Sequence, residues 1–128
     1  IARVIKPALD SGALVICDRF TDATFAYQGG GSGVDPSRIE ILEHWVQGTL
    51  QPDLTLFFDL PIEIAQLRMS HRAKDRFESE AIDFHERVRQ AYLDRAKKDP
   101  ARVKVIDSSK SKNQIRLLVQ NELDQICS

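Results

Sequence analysis

The sequence has 128 residues, enough for one domain with a modest hydrophobic core. Its 18 basic and 19 acidic residues give a net charge of −1, which excludes a strong overall field that would recruit nucleic acid or an anionic membrane. The longest apolar run is far shorter than a membrane span, and no signal peptide is recognisable. Cys17 and Cys127 have no metal-ligand spacing, so we expect free thiols in a reducing, cytoplasmic setting.

The predicted elements alternate between helices and strands. The first residues are typical of the end of a helix, and residues 13–17 are a short apolar run that predicts a strand buried on both faces. Asp35 and Pro36 predict a helix start, with Asp as the N-cap and Pro at the first helical position. The apolar stripe of that helix is Ile39, Leu42, Trp45, Val46 and Leu50.

The second half of the chain continues this alternation. The pattern predicts a strand over 54–59, a helix from Pro61 to about Met69, an amphipathic helix with Ala81, Phe84, Val88 and Tyr92 on one side, a strand over 103–107, and a last helix that opens with the capping box of Ser111 and Gln114. Strands that alternate with helices imply a parallel sheet with right-handed crossovers.

The segment after the first predicted strand carries the densest set of chemical groups. An Asp–Arg pair at the carboxyl end of a parallel strand lies where open α/β sheets bind ligands. The Arg can donate two hydrogen bonds to a phosphate, and the Asp can hold that Arg or a magnesium-bound water. The alternative is a strand-end ion pair before an ordinary helix. The segment reads Asp18, Arg19, Phe20, Thr21, Asp22, Ala23, Thr24, Phe25, Ala26, Tyr27, Gln28 and Gly29.

This segment resembles the acceptor-site motif of thymidylate (dTMP) kinases, which is Asp-Arg-aromatic, then Ser/Thr, then Ala-Tyr-Gln-Gly. The resemblance implies an α/β, P-loop NTP hydrolase-like nucleoside monophosphate kinase fold, with three layers and a parallel sheet. It implies transfer of the γ-phosphate of ATP to dTMP, with Mg²⁺ bridging the phosphates, to give dTDP for dTTP synthesis. The alternatives are another nucleoside monophosphate or deoxynucleoside kinase, or a non-catalytic truncated or degenerate kinase segment.

The resemblance also assigns roles to single residues. It implies that Arg19 binds the dTMP phosphate and that Asp18 lies at the magnesium and phosphate region. Thr24 and Gln28 would contact the thymine edge, and Tyr27 would lie under the deoxyribose and exclude a 2′-hydroxyl. Thr24 as an ordinary helix residue and Tyr27 as a core aromatic are the alternatives. Two positions depart from the family pattern, because Phe20 replaces a Tyr or His and Ser32 a frequent Arg.

A second basic segment covers about residues 68–78. It resembles the lid of bacterial dTMP kinases, including the Asp-Arg-x-Glu signature at Asp75, Arg76 and Glu78. Phosphoryl transfer needs positive charge against the oxygens of the transferred group, and a lid can supply it. The resemblance implies that Arg72 is the catalytic, ATP-contacting arginine of the lid, with Arg76 as the second choice. The alternative is a solvated basic turn between two helices.

The sequence contains no Gly-rich loop that ends in Gly-Lys-Ser/Thr and would hold ATP. The glycines over 29–33 are followed by Val34 and Asp35, so we interpret them as a flexible connector. We expect residues 1–128 to be one partial domain, the C-terminal part of a kinase without its first two strands, and inactive alone. The resemblance suggests a homodimer. The histidines have no metal-ligand pattern, so we predict no protein-built metal site; they are His44, His71 and His85.

Overall fold

A computed structural model describes residues 1–69 and 79–126, with the side chains of residues 69, 79 and 80 left aside. Two parallel strands and several helices form an α/β arrangement, as the sequence predicts. The elements are α1 (Ile5–Asp10), α2 (Thr21–Thr24) with a π-helix (Phe25–Gly31) directly after it, α3 (Pro36–Gln47), β1 (Thr55–Asp59), α4 (Ile62–Met69), α5 (Ser79–Lys98), β2 (Val103–Asp107) and α6 (Lys112–Ile126).

The two strands pair in parallel over their full length. Thr55 lies opposite Val103, and the register continues to Asp59 opposite Asp107. The connection between them runs through α4 and α5, which is the crossover that a parallel pair requires. None of the described helices is long and apolar enough to span a membrane.

The hydrophobic core lies where α5 packs against the π-helix and against β2. Apolar side chains from all three elements fill it, and Ala26 of the π-helix is completely buried. The other buried apolar residues are Ala23, Phe25, Ile39, Val88, Ala96, Val103 and Ile106. The core therefore fixes the π-helix, and with it the segment that the sequence singles out, against the long helix α5.

The helix starts predicted from capping chemistry are confirmed. The Asp35 carboxylate accepts a hydrogen bond from the Ser37 backbone N–H at 2.9 Å, with Pro36 at the first helical position of α3. At the start of α6, the Gln114 side-chain oxygen accepts from the Ser111 N–H at 3.0 Å. The Gln114 N–H donates in return to the Ser111 hydroxyl at 3.4 Å. Both signals are local, so neither depends on the rest of the fold.

The strand predicted over residues 13–17 is wrong. This segment has no regular secondary structure, and Leu14 and Ile16 are 68% and 89% exposed. A strand exists only where its backbone donors and acceptors pair with a neighbour. Among the described residues, β1 and β2 pair with each other alone, so the apolar run has nothing to pair with.

The apolar stripe predicted for α3 is only partly buried. Ile39 packs against the π-helix and is buried, whereas Trp45 is 82% exposed. Leu42 and Val46 are exposed as well. No described element covers this side of α3, which explains why helical spacing alone overestimates its burial.

The interpretation of the glycine cluster as a flexible connector is wrong. Gly30 and Gly31 belong to the π-helix and lie directly against α5. A Cβ atom at position 30 would come 2.6 Å from the Ala91 Cβ and 2.9 Å from the Arg87 carbonyl oxygen. The Arg87 guanidinium also donates to the Gly31 carbonyl, at 3.1 Å from Nη2. These glycines let two helices approach closely, which holds the π-helix in place.

Candidate active site

The predicted acceptor segment begins with an unusual backbone turn. Arg19 has φ of +64°, and it is the single non-glycine residue with positive φ in the described part of the chain. For an L-residue this left-handed conformation costs about 1–2 kcal/mol, so neighbouring structure must hold it. The turn carries the chain from the irregular segment 13–17 into α2.

The acceptor residues after this turn belong to one continuous helix, because α2 runs directly into the π-helix. Residues four apart, such as Thr24 and Gln28, lie side by side on it. Four of the predicted substrate residues therefore meet around one open cleft of about 290 Å³. The cleft is lined by Arg19, Phe20, Ala23, Thr24, Tyr27 and Gln28.

Arg19 and Tyr27 form the centre of this cleft. The Arg19 guanidinium lies over the Tyr27 ring, with Cζ 4.9 Å from the ring centroid. Its Nη2 donates a long hydrogen bond, 3.4 Å, to the Tyr27 hydroxyl. Tyr27 is half-buried and approaches Phe84 of α5, with ring centroids 6.2 Å apart. The tyrosine ring thus supports an exposed guanidinium at the cleft.

Asp18 lies next to Arg19 in sequence but does not line the cleft. Among the described residues it has no hydrogen bond or ion pair, so the strand-end ion pair with Arg19 is not formed. An exposed carboxylate with both oxygens available can serve as a ligand of Mg²⁺, together with substrate phosphates. The carboxylate at this position therefore fits Mg²⁺.

The lid arginines cannot be placed in this way. Arg72 and Arg76 lie outside the described residues, and so does His71. Among the described residues, no group of three or more histidine, cysteine or acidic side chains could hold a metal ion.

Asp22 is the residue that sequence reasoning missed. It lies in the first turn of α2 and is 3% exposed, and its carboxylate receives hydrogen bonds from Thr55, Arg95 and Arg102. Burial raises the pKa of this carboxyl, but the hydrogen bonds from Arg102 and Thr55 and the charge of Arg95 outweigh it and lower the pKa to about 2. A depressed carboxyl pKa stabilises the fold at pH values above about 4, and this contribution is lost as the pH falls towards 2.

Tyr92 also lies close to the cleft, although its helical spacing predicts only a core position. Its ring stacks on Phe57 of β1, with centroids 4.5 Å apart and planes at 9°. Burial raises the pKa of the Tyr92 hydroxyl. Tyr27 and the carboxylates of Asp22 and Asp18 raise this pKa further, whereas Arg19 lowers it. The Tyr92 hydroxyl is therefore within electrostatic reach of the acceptor residues.

The strand-terminal carboxylates Asp59 and Asp107 both have structural partners. Arg89 of α5 donates to the two oxygens of Asp59 at 2.7 and 3.0 Å. Asp107 accepts from the Ser109 N–H at 2.9 Å and pairs with Lys110. These contacts account for both carboxylates without a ligand.

Comparison with known proteins identifies the family. The family model described as thymidylate kinase matches residues 1–119. The thymidylate kinase of Neisseria gonorrhoeae (strain NCCP11945) is 56% identical over 125 residues, covering 97% of this chain and 61% of that protein. The thymidylate kinase of Cupriavidus necator is 57% identical over 127 residues, covering 98% of this chain and again 61% of the relative.

A solved structure agrees with these sequences. The crystal structure of thymidylate kinase from Ehrlichia chaffeensis matches with a TM-score of 0.72 and 34% identity, over 95% of this chain and 55% of that one. This likeness confirms the α/β nucleoside monophosphate kinase fold with its parallel sheet. The chain spans about three-fifths of the length of these two curated relatives, and it belongs to the thymidylate kinase family.

Proposed function

We propose that the protein transfers the γ-phosphate of ATP to dTMP, giving dTDP and ADP, and that this chain supplies the acceptor site and the lid. The observation that carries the proposal is the cleft in which Arg19, Tyr27 and Gln28 meet. Family membership supports the choice of thymidylate over other nucleotides.

In this proposal Arg19 binds the phosphate of dTMP. Two parallel charge-assisted hydrogen bonds from a guanidinium hold a phosphate in one orientation, which a single point charge does not do. An oxygen of that phosphate then attacks the γ-phosphorus of ATP, and the bond between this phosphorus and the ADP oxygen breaks. Since little covalent chemistry falls to the protein, its contribution is positioning and charge.

The remaining cleft residues would choose the nucleotide. Thr24 and Gln28 would offer hydroxyl and amide groups to the base, and the half-buried Tyr27 ring lines the same cleft. A ribonucleotide would place a 2′-hydroxyl against this ring without a partner, which costs about 1–3 kcal/mol. Mg²⁺ would neutralise charge on the ATP phosphates, and Asp18 is the carboxylate that would hold it, directly or through a water.

Nucleotide choice can be tested with two substitutions in the full-length gene product. We expect Gln28→Ala to raise the KM for dTMP by about tenfold and to leave the KM for ATP nearly unchanged, because one hydrogen bond to the base is lost. Tyr27→Ala should improve the use of the ribonucleotide relative to dTMP. Steady-state kinetics with each nucleotide varied in turn would measure both effects.

The matched control for Gln28→Ala is Gln125→Ala, an exposed glutamine near the end of α6 and outside the cleft. It should leave both KM values unchanged. Equal changes in the KM for dTMP and for ATP after Gln28→Ala would contradict the assignment. Turnover of another nucleoside monophosphate in preference to dTMP would favour the alternative kinase.

The lid role of Arg72, with Arg76 as second choice, stays a prediction. A cationic side chain that contacts the transferred phosphoryl group mainly in the transition state raises kcat more than it tightens the binding of dTMP. Arg72→Ala should therefore lower kcat with little change in dTMP affinity, and a loss confined to that affinity would move the role to Arg76.

We also propose that the protein is a homodimer, with the exposed side of α3 in the interface. Four large apolar side chains are exposed there, which is unusual for a surface in contact with water. They are Ile41, Leu42, Trp45 and Val46. Sedimentation of the full-length protein should show a dimer and Trp45→Asp should weaken it, whereas a monomer in both cases would contradict the proposal.

The free thiol of Cys17 fits a cytoplasmic location.

A further inference from the structure

One buried carboxylate ties the acceptor segment to three other elements. Asp22 of α2 accepts from the Thr55 hydroxyl at 2.8 Å and from Arg102 at 2.7 and 3.0 Å, and it also accepts from Nε of Arg95. We call Asp22, Thr55, Arg95 and Arg102 the Asp22 network. Both carboxylate oxygens are used, and the side chains of Asp22, Arg95 and Arg102 are 4%, 19% and 14% exposed.

The partners of Asp22 come from parts of the fold that are themselves fixed. Thr55 is the first residue of β1, Arg102 directly precedes β2, and Arg95 lies in the last turns of α5. Arg102 is held further by Asp99, with Nε 2.9 Å from the Asp99 carboxylate. The network therefore connects the acceptor helix to the start of the sheet and to α5 at once.

Two contacts join Arg95 to the acceptor segment. Besides its bond to Asp22, its guanidinium lies 4.0 Å from the centroid of the Phe25 ring in the π-helix. A cation over an aromatic face is attracted by the ring as well as by the carboxylate. The start of the π-helix is thus held by Arg95 through residues that do not line the cleft.

A buried ion network of this kind is a poor source of stability compared with apolar packing, but it fixes geometry because its hydrogen bonds are directional. The acceptor segment depends on a fixed backbone geometry at Arg19 and on a fixed position of Tyr27. Arg19, three residues before Asp22, has the left-handed φ of +64° that only surrounding structure can maintain. Tyr27, which supports the Arg19 guanidinium, lies five residues after Asp22.

We propose that Asp22 is a positioning residue for the acceptor phosphate site. Through Thr55, Arg95 and Arg102 it holds the turn at Arg19 and the start of the helix that carries Tyr27, so that the guanidinium faces the incoming phosphate. This inference rests on the proposed function, because it concerns the same cleft.

The test is Asp22→Asn in the full-length gene product. Asparagine keeps the size of the side chain but replaces one acceptor oxygen by an amide that cannot accept from an arginine. A misplaced phosphate-binding group lowers the productive binding of dTMP and not of ATP, so we expect the KM for dTMP to rise about tenfold and the KM for ATP to stay within about twofold.

Ile106→Val is the control, because it removes a buried methyl group from β2 at a position that is not a member of the network. It should lower the melting temperature without changing the ratio of the two KM values. If Asp22→Asn changes only the melting temperature, or both KM values equally, Asp22 is merely structural and the inference is overturned.

Thr55→Val decides the question if Asp22→Asn does not fold. It removes one donor to Asp22 and one acceptor of Arg102, while the bonds from both arginines to Asp22 remain possible, so we expect the same pattern at about threefold. A Thr55→Val protein with the kinetics of Ile106→Val would overturn the inference. If the wild-type protein does not use dTMP at all, the proposed function fails and this inference with it; an active wild type with a neutral Asp22→Asn overturns the inference alone.

Discussion

Replacing Arg19 by alanine is expected to lower kcat/KM for dTMP by about a thousandfold in the full-length protein, because two charge-assisted hydrogen bonds of about 1.5–3 kcal/mol each are lost together. Arg19 supplies the cationic group among the residues that line the cleft, and its guanidinium lies over the Tyr27 ring. Its loss leaves the dTMP phosphate both unneutralised and free to rotate. Initial rates at varied dTMP and saturating ATP would measure the effect.

Arg19→Lys separates charge from geometry. Lysine keeps the positive charge but lacks the planar fork, so it should recover only a small part of the lost activity. Arg38→Ala is the control for the removal of one positive charge, since Arg38 is exposed on α3 and does not line the cleft. An Arg19→Ala protein with near-normal turnover of dTMP would show that the phosphate binds elsewhere.

The second large effect concerns residues 1–128 produced alone. We expect this chain to release no dTMP-dependent ADP above background and to be poorly stable. Among the described residues, apolar side chains of the strands themselves, Phe58 and Val105, are 51% and 45% exposed, so the sheet has little cover. The sequence also contains no Gly-Lys-Ser/Thr loop whose backbone N–H groups and lysine would hold the phosphates of ATP.

A coupled assay for ADP on the purified 128-residue chain measures this directly, with the full-length gene product as the positive control. Light scattering on the same sample would report aggregation, which exposed apolar residues such as Leu14 and Ile16 favour. Robust turnover by the isolated chain would mean that ATP is bound by residues other than a phosphate-binding loop of the usual kind.

The parts of the fold that the sequence predicts correctly depend on short-range chemistry. The caps at Asp35 and Ser111 act within three residues, and the strands over 55–59 and 103–107 are marked by apolar runs that end in an acidic residue. The cleft belongs to the same class, because Arg19 and Tyr27 lie eight residues apart in one short segment, the turn before α2 and the helix that follows it. Spacing within one short segment is visible in a sequence.

The parts that the sequence does not predict depend on distant partners. An apolar run over 13–17 indicates that burial would be favourable but not whether a neighbouring strand supplies it. The contacts of Asp22 reach across 33, 73 and 80 residues to Thr55, Arg95 and Arg102. No periodicity connects such positions, so the sequence does not distinguish the buried carboxylate of Asp22 from an ordinary polar residue of a helix.

The close approach of the π-helix to α5 has an evolutionary consequence. At position 30 an added methyl group meets the Arg87 backbone oxygen as well as the Ala91 side chain, so trimming Ala91 to glycine would not make room for it. No smaller side chain at position 91 can therefore relieve the clash, so position 30 is closed to every residue but glycine. We expect sequence variation in this segment at cleft-lining positions such as Thr24 and Gln28, and not at Gly30.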